Sequence, residues 1–158
     1  GVQPDEVEVD RLMEARFKAF VEVVELPDGV LSLLEQVRRR YRLALLSNYP
    51  CSRSILACLE KIGLADYFES RTISGDIGYV KPHPEPYKVM LADLDLAPER
   101  CVYVGDNWLA DVQGSKRMGM FSIHTTQYAP YETIIPVDGD APPDLHVEHI
   151  RDLEAVLL

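Results

Sequence analysis

Two acidic residues, Asp106 and Asp111, have a spacing that could hold a hard cation. Asp106 follows an apolar run at residues 102–104 and a glycine, Gly105, and Asp111 lies five residues further on. Carboxylates at the end of a strand and the start of a helix can converge on one ion, and oxygen ligands suit Mg²⁺. The alternative is structural: Asp106 caps the helix and Asp111 interacts favourably with the dipole at its N-terminus.

Three further polar residues could bind an anion. Lys81 precedes a proline in a segment rich in Gly and Pro, residues 75–84, where it could be aimed at an anion as a point charge. Ser47 and Asn48 follow the apolar run at residues 43–46, and a hydroxyl there, together with backbone N–H groups, could bind a phosphate oxygen. The alternatives are an exposed loop lysine and a simple turn or helix cap.

Apolar patterning predicts helices that alternate with short buried strands, which argues for α/β units around a parallel sheet. Asp28 is predicted to cap the second helix, and Gly63 and Gly119 to end the third and fifth. The predicted strands cover residues 43–46, 72–74, 102–104, 121–125 and 145–147. The predicted helices cover residues 9–25, 30–40, 52–62, 86–96, 108–118 and 150–158, and residues 127–143 are predicted to form a long loop. In such sheets ligands bind beyond the carboxyl ends of the strands, so the polar residues after the two clearest strands are expected to share one rim.

Composition excludes several classes of function. The chain has 158 residues, with 16 Lys and Arg against 26 Asp and Glu, and its net charge of −10 argues against a nucleic-acid partner. No run of about eighteen apolar residues predicts a membrane span, and the acidic N-terminus does not resemble a secretory signal. The three cysteines form no C-x-x-C pair, which favours reduced thiols and a cytoplasmic protein without a membrane partner.

Three segments in order carry a family resemblance: LALLSNYP, GYVKPHPEPY and CVYVGDNWLADVQGSKRMGM. They are similar to the second, third and fourth motifs of the haloacid-dehalogenase-like hydrolase superfamily, particularly its phosphoglycolate-phosphatase-like members. The similarity runs from about Pro27 to the C-terminus, and the last segment is the most specific. The resemblance implies a Rossmann-like, mostly parallel sheet flanked by helices.

The resemblance also implies a role for each polar residue of the predicted rim. Ser47 would hydrogen-bond a phosphoryl oxygen, and Asn48 would help to shape that pocket. Lys81 would neutralise the nucleophile and the phosphoryl group. Asp106 would bind Mg²⁺, and Asp111 would assist directly or through water. The family transfers a phosphoryl group to an aspartate and then to water.

The sequence departs from the family pattern at its first motif. That motif is an apolar strand followed by D-x-D-x-[TS], which supplies the nucleophile and the general acid/base, and no such segment occurs here. Residues 1–26 resemble the end of the helical cap, and residues 27–158 resemble the core domain without its first strand. We expect a fragment of a longer protein, a second chain that supplies the missing segment, or a rearranged fold. Apolar surface left by the absent strand is expected to promote self-association.

These observations predict a Mg²⁺-dependent phosphatase of a small phosphorylated metabolite that works through an aspartyl phosphate in the intact protein. One alternative is a 2-haloacid dehalogenase, which the Ser47–Asn48 pair also fits, although the carboxylates at 106 and 111 favour a metal-binding phosphatase. Another alternative is a non-catalytic domain of the same fold that binds a ligand or partner, which the absent nucleophile would explain.

Overall fold

A computed structural model describes residues 5–128 and 138–158, so most of the predicted loop at 127–143 lies outside the described residues. The α-helices are α1 (Glu6–Val23), α2 (Val30–Val37), α3 (Ser52–Lys61), α4 (Ser74–Ile77), α5 (Pro84–Leu94), α6 (Gly114–Met118) and α7 (Leu153–Leu157). The strands are β1 (Ala44–Ser47), β2 (Ser70–Ile73), β3 (Val102–Gly105), β4 (Phe121–Thr125) and β5 (Leu145–Val147). A π-helical turn (Trp108–Gln113) leads into α6, and 3-10 turns lie at Pro98–Arg100 and Ile150–Asp152. No helix in the two described ranges is long and apolar enough to cross a membrane.

The strands form two parallel half-sheets. In the first, β1 pairs with β2, with Leu46 opposite Thr72. In the second, β4 lies between β3 and β5, and Ile123 is opposite both Val104 and Leu145. Every described strand pair is parallel, as the alternation of helices and strands predicted, and each of the five predicted strands is confirmed to within a few residues.

Strands β1 and β3 are the inner edges of the two half-sheets. Among the described residues, neither strand has a sheet partner on its second side. Leu46 and Tyr103 contribute to one apolar cluster, whereas Leu43, just before β1, and Val104 pack against the other. The half-sheets therefore lie edge to edge rather than face to face, and backbone groups of both inner edges have no strand partner.

Two apolar clusters, one on each face of the half-sheets, form the core. The first contains Leu46, Tyr87, Met90, Leu91, Leu94, Tyr103 and Met120. The second contains Leu33, Val37, Ile123, Val147 and Leu153. Because the first cluster takes side chains from both half-sheets, burial of apolar surface holds them together where strand pairing does not.

Two local predictions were wrong. The residue that caps α2 is Gly29 rather than Asp28, and its φ of 82° lies in the left-handed region that glycine adopts without a steric penalty. Residues 75–77, predicted as part of a loop, form the short helix α4 together with Ser74, which was predicted to end the second strand. The predicted helix ends at Gly63 and Gly119 are confirmed, with φ values of 74° and 86°.

Helix α1 lies on the surface and is attached to α3 by polar contacts, with none of its own residues buried. Arg53 of α3 pairs with Glu14 (3.0 Å) and lies over the Phe17 ring (3.8 Å). The Lys61 ammonium donates to three carbonyls at the C-terminal end of α1, where a cation also interacts favourably with the helix dipole. The assignment of residues 1–26 to the end of a cap stays a prediction.

Candidate functional site

Lys81 lies in the segment between α4 and α5, and Asn48 holds that segment against the end of β1. Asn48 Nδ2 donates to the Lys81 carbonyl (3.0 Å), and Asn48 Oδ1 accepts from the Lys81 N–H (2.8 Å). One side-chain amide thus forms hydrogen bonds with both the N–H and the carbonyl of Lys81. Asn48 therefore positions Lys81, and a direct contact between Asn48 and a substrate stays a prediction.

The Lys81 ammonium is buried, and each of its three N–H donors has an acceptor. Nζ lies 2.6 Å from Asp111 Oδ1, 2.9 Å from Tyr103 Oη and 3.1 Å from the Leu46 carbonyl oxygen. Leu46 belongs to β1, Tyr103 to β3 and Asp111 to the π-helical turn after β3. The Lys81 side chain therefore bridges the two half-sheets, and the alternative of an exposed loop lysine is wrong.

The Asp111 carboxylate is buried and accepts hydrogen bonds at both oxygens. Oδ1 accepts from Lys81 and from the Tyr103 hydroxyl (3.2 Å), and Oδ2 accepts from the Asn107 N–H (3.0 Å). Gly105 makes room for this carboxylate, because a Cβ at position 105 would lie 2.4 Å from the Asp111 Cβ. The ammonium and the two further donors compensate the cost of burying the charge of Asp111.

Tyr103 is a member of this site that sequence reasoning missed. Burial raises the pKa of Tyr103 well above its usual value, and the negative charges of Asp111 and Asp106 raise it further. Its hydroxyl therefore stays protonated, accepts from Lys81 and donates to Asp111. The available signal was a phenol in the middle of a short buried strand, where its hydroxyl needs a partner.

Asp106 directly follows β3 and therefore lies at the carboxyl end of that strand. Its negative charge also helps to raise the pKa of Tyr103. The residue that caps the following turn is Asn107, whose Oδ1 accepts from a backbone N–H (2.7 Å). The alternative of Asp106 as the helix cap is therefore wrong. Within residues 5–128 and 138–158, no hydrogen bond engages the Asp106 carboxylate, which leaves it open to a ligand.

Ser47 is the last residue of β1 and pairs in register with Ile73 of β2. It is partly exposed and lies between Leu46, whose carbonyl contacts Lys81, and Asn48, whose amide holds Lys81. All five residues predicted at the rim therefore lie at the carboxyl ends of β1 and β3 or contact residues there. A hydrogen bond from Ser47 to a phosphoryl oxygen stays a prediction.

The two predicted metal ligands differ in how well they fit Mg²⁺. Asp106 offers a free carboxylate, which suits a hard cation. Asp111 is already engaged by Lys81, Tyr103 and Asn107, so direct ligation would disturb its ion pair, whereas contact through water would not. The described residues contain no group of three or more His, Cys, Asp or Glu that could hold an ion. Mg²⁺ commonly uses one or two carboxylates with water and substrate phosphate, so Asp106 fits as one such ligand.

His124 contacts the backbone of the rim at Asp106 and packs against Trp108. His124 Nε2 lies 3.1 Å from the Asp106 carbonyl oxygen, and its ring meets the Trp108 ring edge to face at 5.7 Å. The Trp108 indole N–H donates to Asp140 (2.8 Å). His83 caps α5, where its Nδ1 accepts from the Glu85 N–H (3.2 Å).

Cys51, at the start of α3, is expected to react with iodoacetamide before Cys58 and Cys101. Hydrogen bonds from the backbone and, to a lesser extent, the side chain of Ser54 lower the pKa of Cys51. Burial raises the pKa of Cys58 and of Cys101. The thiolate is the reactive form. Peptide mass spectrometry after timed alkylation gives the order, and Cys51→Ser should leave the two slow rates unchanged. Faster labelling of Cys58 in the folded protein would contradict the assigned environments.

Known proteins resemble this chain over most of its length. The sequence model of a family described as haloacid dehalogenase-like hydrolase matches residues 2–125. Phosphoserine phosphatase from Thermus thermophilus is 33% identical over 146 residues, which cover 90% of this chain and 55% of that protein. Phosphoglycolate phosphatase from Salmonella typhi is 31% identical over 111 residues, which cover 70% of this chain and 42% of that protein. The chain thus spans about half the length of the curated relatives it matches.

A solved structure shares the fold. A 2-haloacid dehalogenase from Pseudomonas syringae pv. Tomato superposes with a TM-score of 0.76 and 25% identity, over 98% of this chain and 64% of that one. The α/β architecture with parallel strands flanked by helices is therefore confirmed. More than a third of that dehalogenase chain has no counterpart here.

Proposed function

Because the chain belongs to the haloacid dehalogenase-like hydrolase family, we propose that it forms most of the core of a Mg²⁺-dependent phosphatase of a small phosphorylated metabolite. The observation that carries the proposal is the cluster at the carboxyl ends of β1 and β3. There the buried Lys81 ammonium is paired with Asp111, and the Asp106 carboxylate, directly after β3, makes no hydrogen bond to another described residue. One rim thus presents a cation to an anionic substrate and a carboxylate to a metal ion.

Each residue of the cluster has a distinct part in the proposal. Lys81 neutralises charge on the phosphoryl group, and Asp111 together with Asn48 positions Lys81. The Ser47 hydroxyl and backbone N–H groups after β1 bind phosphoryl oxygens. Asp106 would hold Mg²⁺, and the ion, when bound, would act as a Lewis acid toward the phosphoryl oxygens.

The attacking carboxylate comes from outside residues 1–158 in this proposal. A strand bearing it, from a further segment of the polypeptide or from a second chain, pairs between the inner edges β1 and β3. Its carboxylate oxygen forms a bond to phosphorus while the substrate oxygen leaves with a proton from a neighbouring acid. Water then attacks phosphorus and gives a proton to the same neighbouring group, and phosphate and the free carboxylate are released. Without that strand, the open edges favour self-association.

The net charge and the cysteines support the proposed substrate class and the proposed cytoplasmic location. The net charge of −10 disfavours a nucleic-acid substrate, so the anion is a small molecule that the local Lys81 site can hold. The three cysteines are free, as expected in the reducing cytoplasm in which we place the protein.

The test is phosphate release from a panel that includes phosphoserine and phosphoglycolate. The protein is expressed with the sequence that precedes Gly1 in its gene and assayed with MgCl₂ and with EDTA. Turnover should require the metal and Lys81, and it should fall below detection in Lys81→Met. Lys88→Met, which alters an exposed lysine on α5, should retain full activity. Turnover that is insensitive to EDTA and to Lys81→Met would overturn the proposal.

The second candidate is a 2-haloacid dehalogenase, which the structural match to that enzyme favours. Such a reaction would use Lys81 and the Ser47–Asn48 segment but would not need a metal at Asp106. Halide release from 2-chloropropionate that EDTA and Asp106→Asn leave unchanged would support it. Absence of both activities in the wild-type protein would favour the non-catalytic alternative.

A further inference from the structure

The Lys81 ammonium is held by three acceptors from three elements, and these acceptors are not equivalent. Asp111 supplies the counter-charge, Tyr103 a neutral hydroxyl and Leu46 a backbone carbonyl. A lysine ammonium on its flexible stem has no preferred direction of its own. Its direction in this site is therefore set by where these three acceptors lie.

The Leu46 carbonyl is the acceptor that a pairing strand would take. The carbonyl of Leu43 accepts from Glu69 on the β2 side, and successive carbonyls of a strand point to opposite sides. The Leu46 carbonyl, three residues on, therefore faces the open inner edge of β1. A strand paired there would donate an N–H to this carbonyl and release one N–H of Lys81.

Tyr103 keeps its contacts when the sheet is completed, because they come from a side chain rather than from an edge backbone group. Its hydroxyl accepts from Lys81 (2.9 Å) and donates to Asp111 (3.2 Å), so it is bonded to both members of the ion pair. Its ring is buried and packs against Tyr87, with centroids 5.6 Å apart. The packing of the ring and the two hydrogen bonds thus hold the hydroxyl in one position.

We propose that Tyr103 is a positioning residue for Lys81: Tyr103 and Asp111 hold two N–H groups of the ammonium and aim the third at the phosphoryl group. This inference rests on the proposed function, in which Lys81 meets the substrate. Tyr103→Phe keeps the buried ring and removes only the hydroxyl, so it tests the hydrogen bonds of that hydroxyl to Lys81 and Asp111.

The first test needs no catalysis and uses residues 1–158 with 15N-labelled lysine. Acceptors on all three N–H groups should slow hydrogen exchange of the Lys81 ammonium and make it visible by NMR, with Lys81→Met giving the assignment. In Tyr103→Phe this signal should be lost or broadened. Lys61 is the internal reference, because its ammonium also has three acceptors, all of them backbone carbonyls at the C-terminal end of α1. An unchanged Lys81 signal in Tyr103→Phe would overturn the positioning role.

The second test is steady-state kinetics on the protein with its upstream sequence. Tyr103→Phe should lower kcat about tenfold, the effect of one hydrogen bond to a charged group, with KM within about twofold of wild type. Tyr87→Phe is the matched control: its hydroxyl bonds the Ala110 carbonyl, outside the Lys81 cluster, so it should lower stability but not kcat. Equal kcat values for the two variants would overturn the inference. If the wild-type protein hydrolyses no phosphoester, the proposed function fails, and the ammonium signal alone decides the role of Tyr103.

Discussion

Replacing Lys81 with methionine is expected to lower the free energy of unfolding by about 3–5 kcal/mol. Methionine preserves the apolar stem but removes the ammonium. Asp111, which is only 5% exposed, would then hold its charge with hydrogen bonds from Tyr103 and the Asn107 N–H alone. A buried carboxylate without a counter-charge is strongly unfavourable. Urea denaturation of residues 1–158, followed by circular dichroism, measures the loss.

Two further variants separate the buried charge from other effects of the substitution. Lys116→Met breaks the Lys116–Asp144 ion pair (2.7 Å), which is partly exposed, and should cost about 1 kcal/mol or less. Adding Asp111→Leu to Lys81→Met should restore most of the lost stability, because no uncompensated charge remains. If Lys81→Met costs no more than Lys116→Met, Asp111 is not left as an uncompensated buried charge when the ammonium is removed.

Which residues lie at the rim could be predicted from sequence, but the contacts between those residues could not. Ser47 and Asp106 follow apolar runs, and the rule that parallel strands place their carboxyl ends together was sufficient to group them. The pairing of Lys81 with Asp111 depends on how residues 75–84 fold back onto β1. The two hydrogen bonds between Asn48 and the Lys81 backbone set that path, and no periodicity encodes them.

The strands could also be predicted, because short apolar runs between turns are the pattern of buried parallel strands. The family resemblance indicated that a strand was absent, but the division of the remaining strands into two half-sheets was not predicted. The composition of the two clusters gives the physical reason why the halves stay aligned: Tyr103 and Leu46 pack in the same one. The prediction that Asp28 caps α2 was wrong, because Gly29 occupies the cap position and adopts its left-handed backbone.

The two carboxylates after β3 differ in their hydrogen-bond partners. Asp111 is engaged by an ammonium, a phenol and a backbone N–H, so its charge belongs to the fold. Asp106 is partly buried and has no hydrogen-bonded partner for its carboxylate among the described residues. A site that keeps a partly buried carboxylate unpaired sacrifices some stability, which is common where a charged ligand binds.

Replacing Asp106 with asparagine is therefore expected to lower kcat of the proposed phosphatase about a thousandfold, equivalent to about 4 kcal/mol. The free energy of unfolding should change by about 0.5 kcal/mol or less. Asparagine keeps the shape and one oxygen but lacks the charge that holds a hard cation. Both quantities are measured on one preparation, by turnover at saturating MgCl₂ and by urea denaturation. Asp76→Asn, an exposed change on α4, is the control and should alter neither. Normal Mg²⁺-dependent turnover of Asp106→Asn would show that Asp106 is not the metal ligand. A loss of stability as large as that of Lys81→Met would show that the Asp106 carboxylate is needed by the fold.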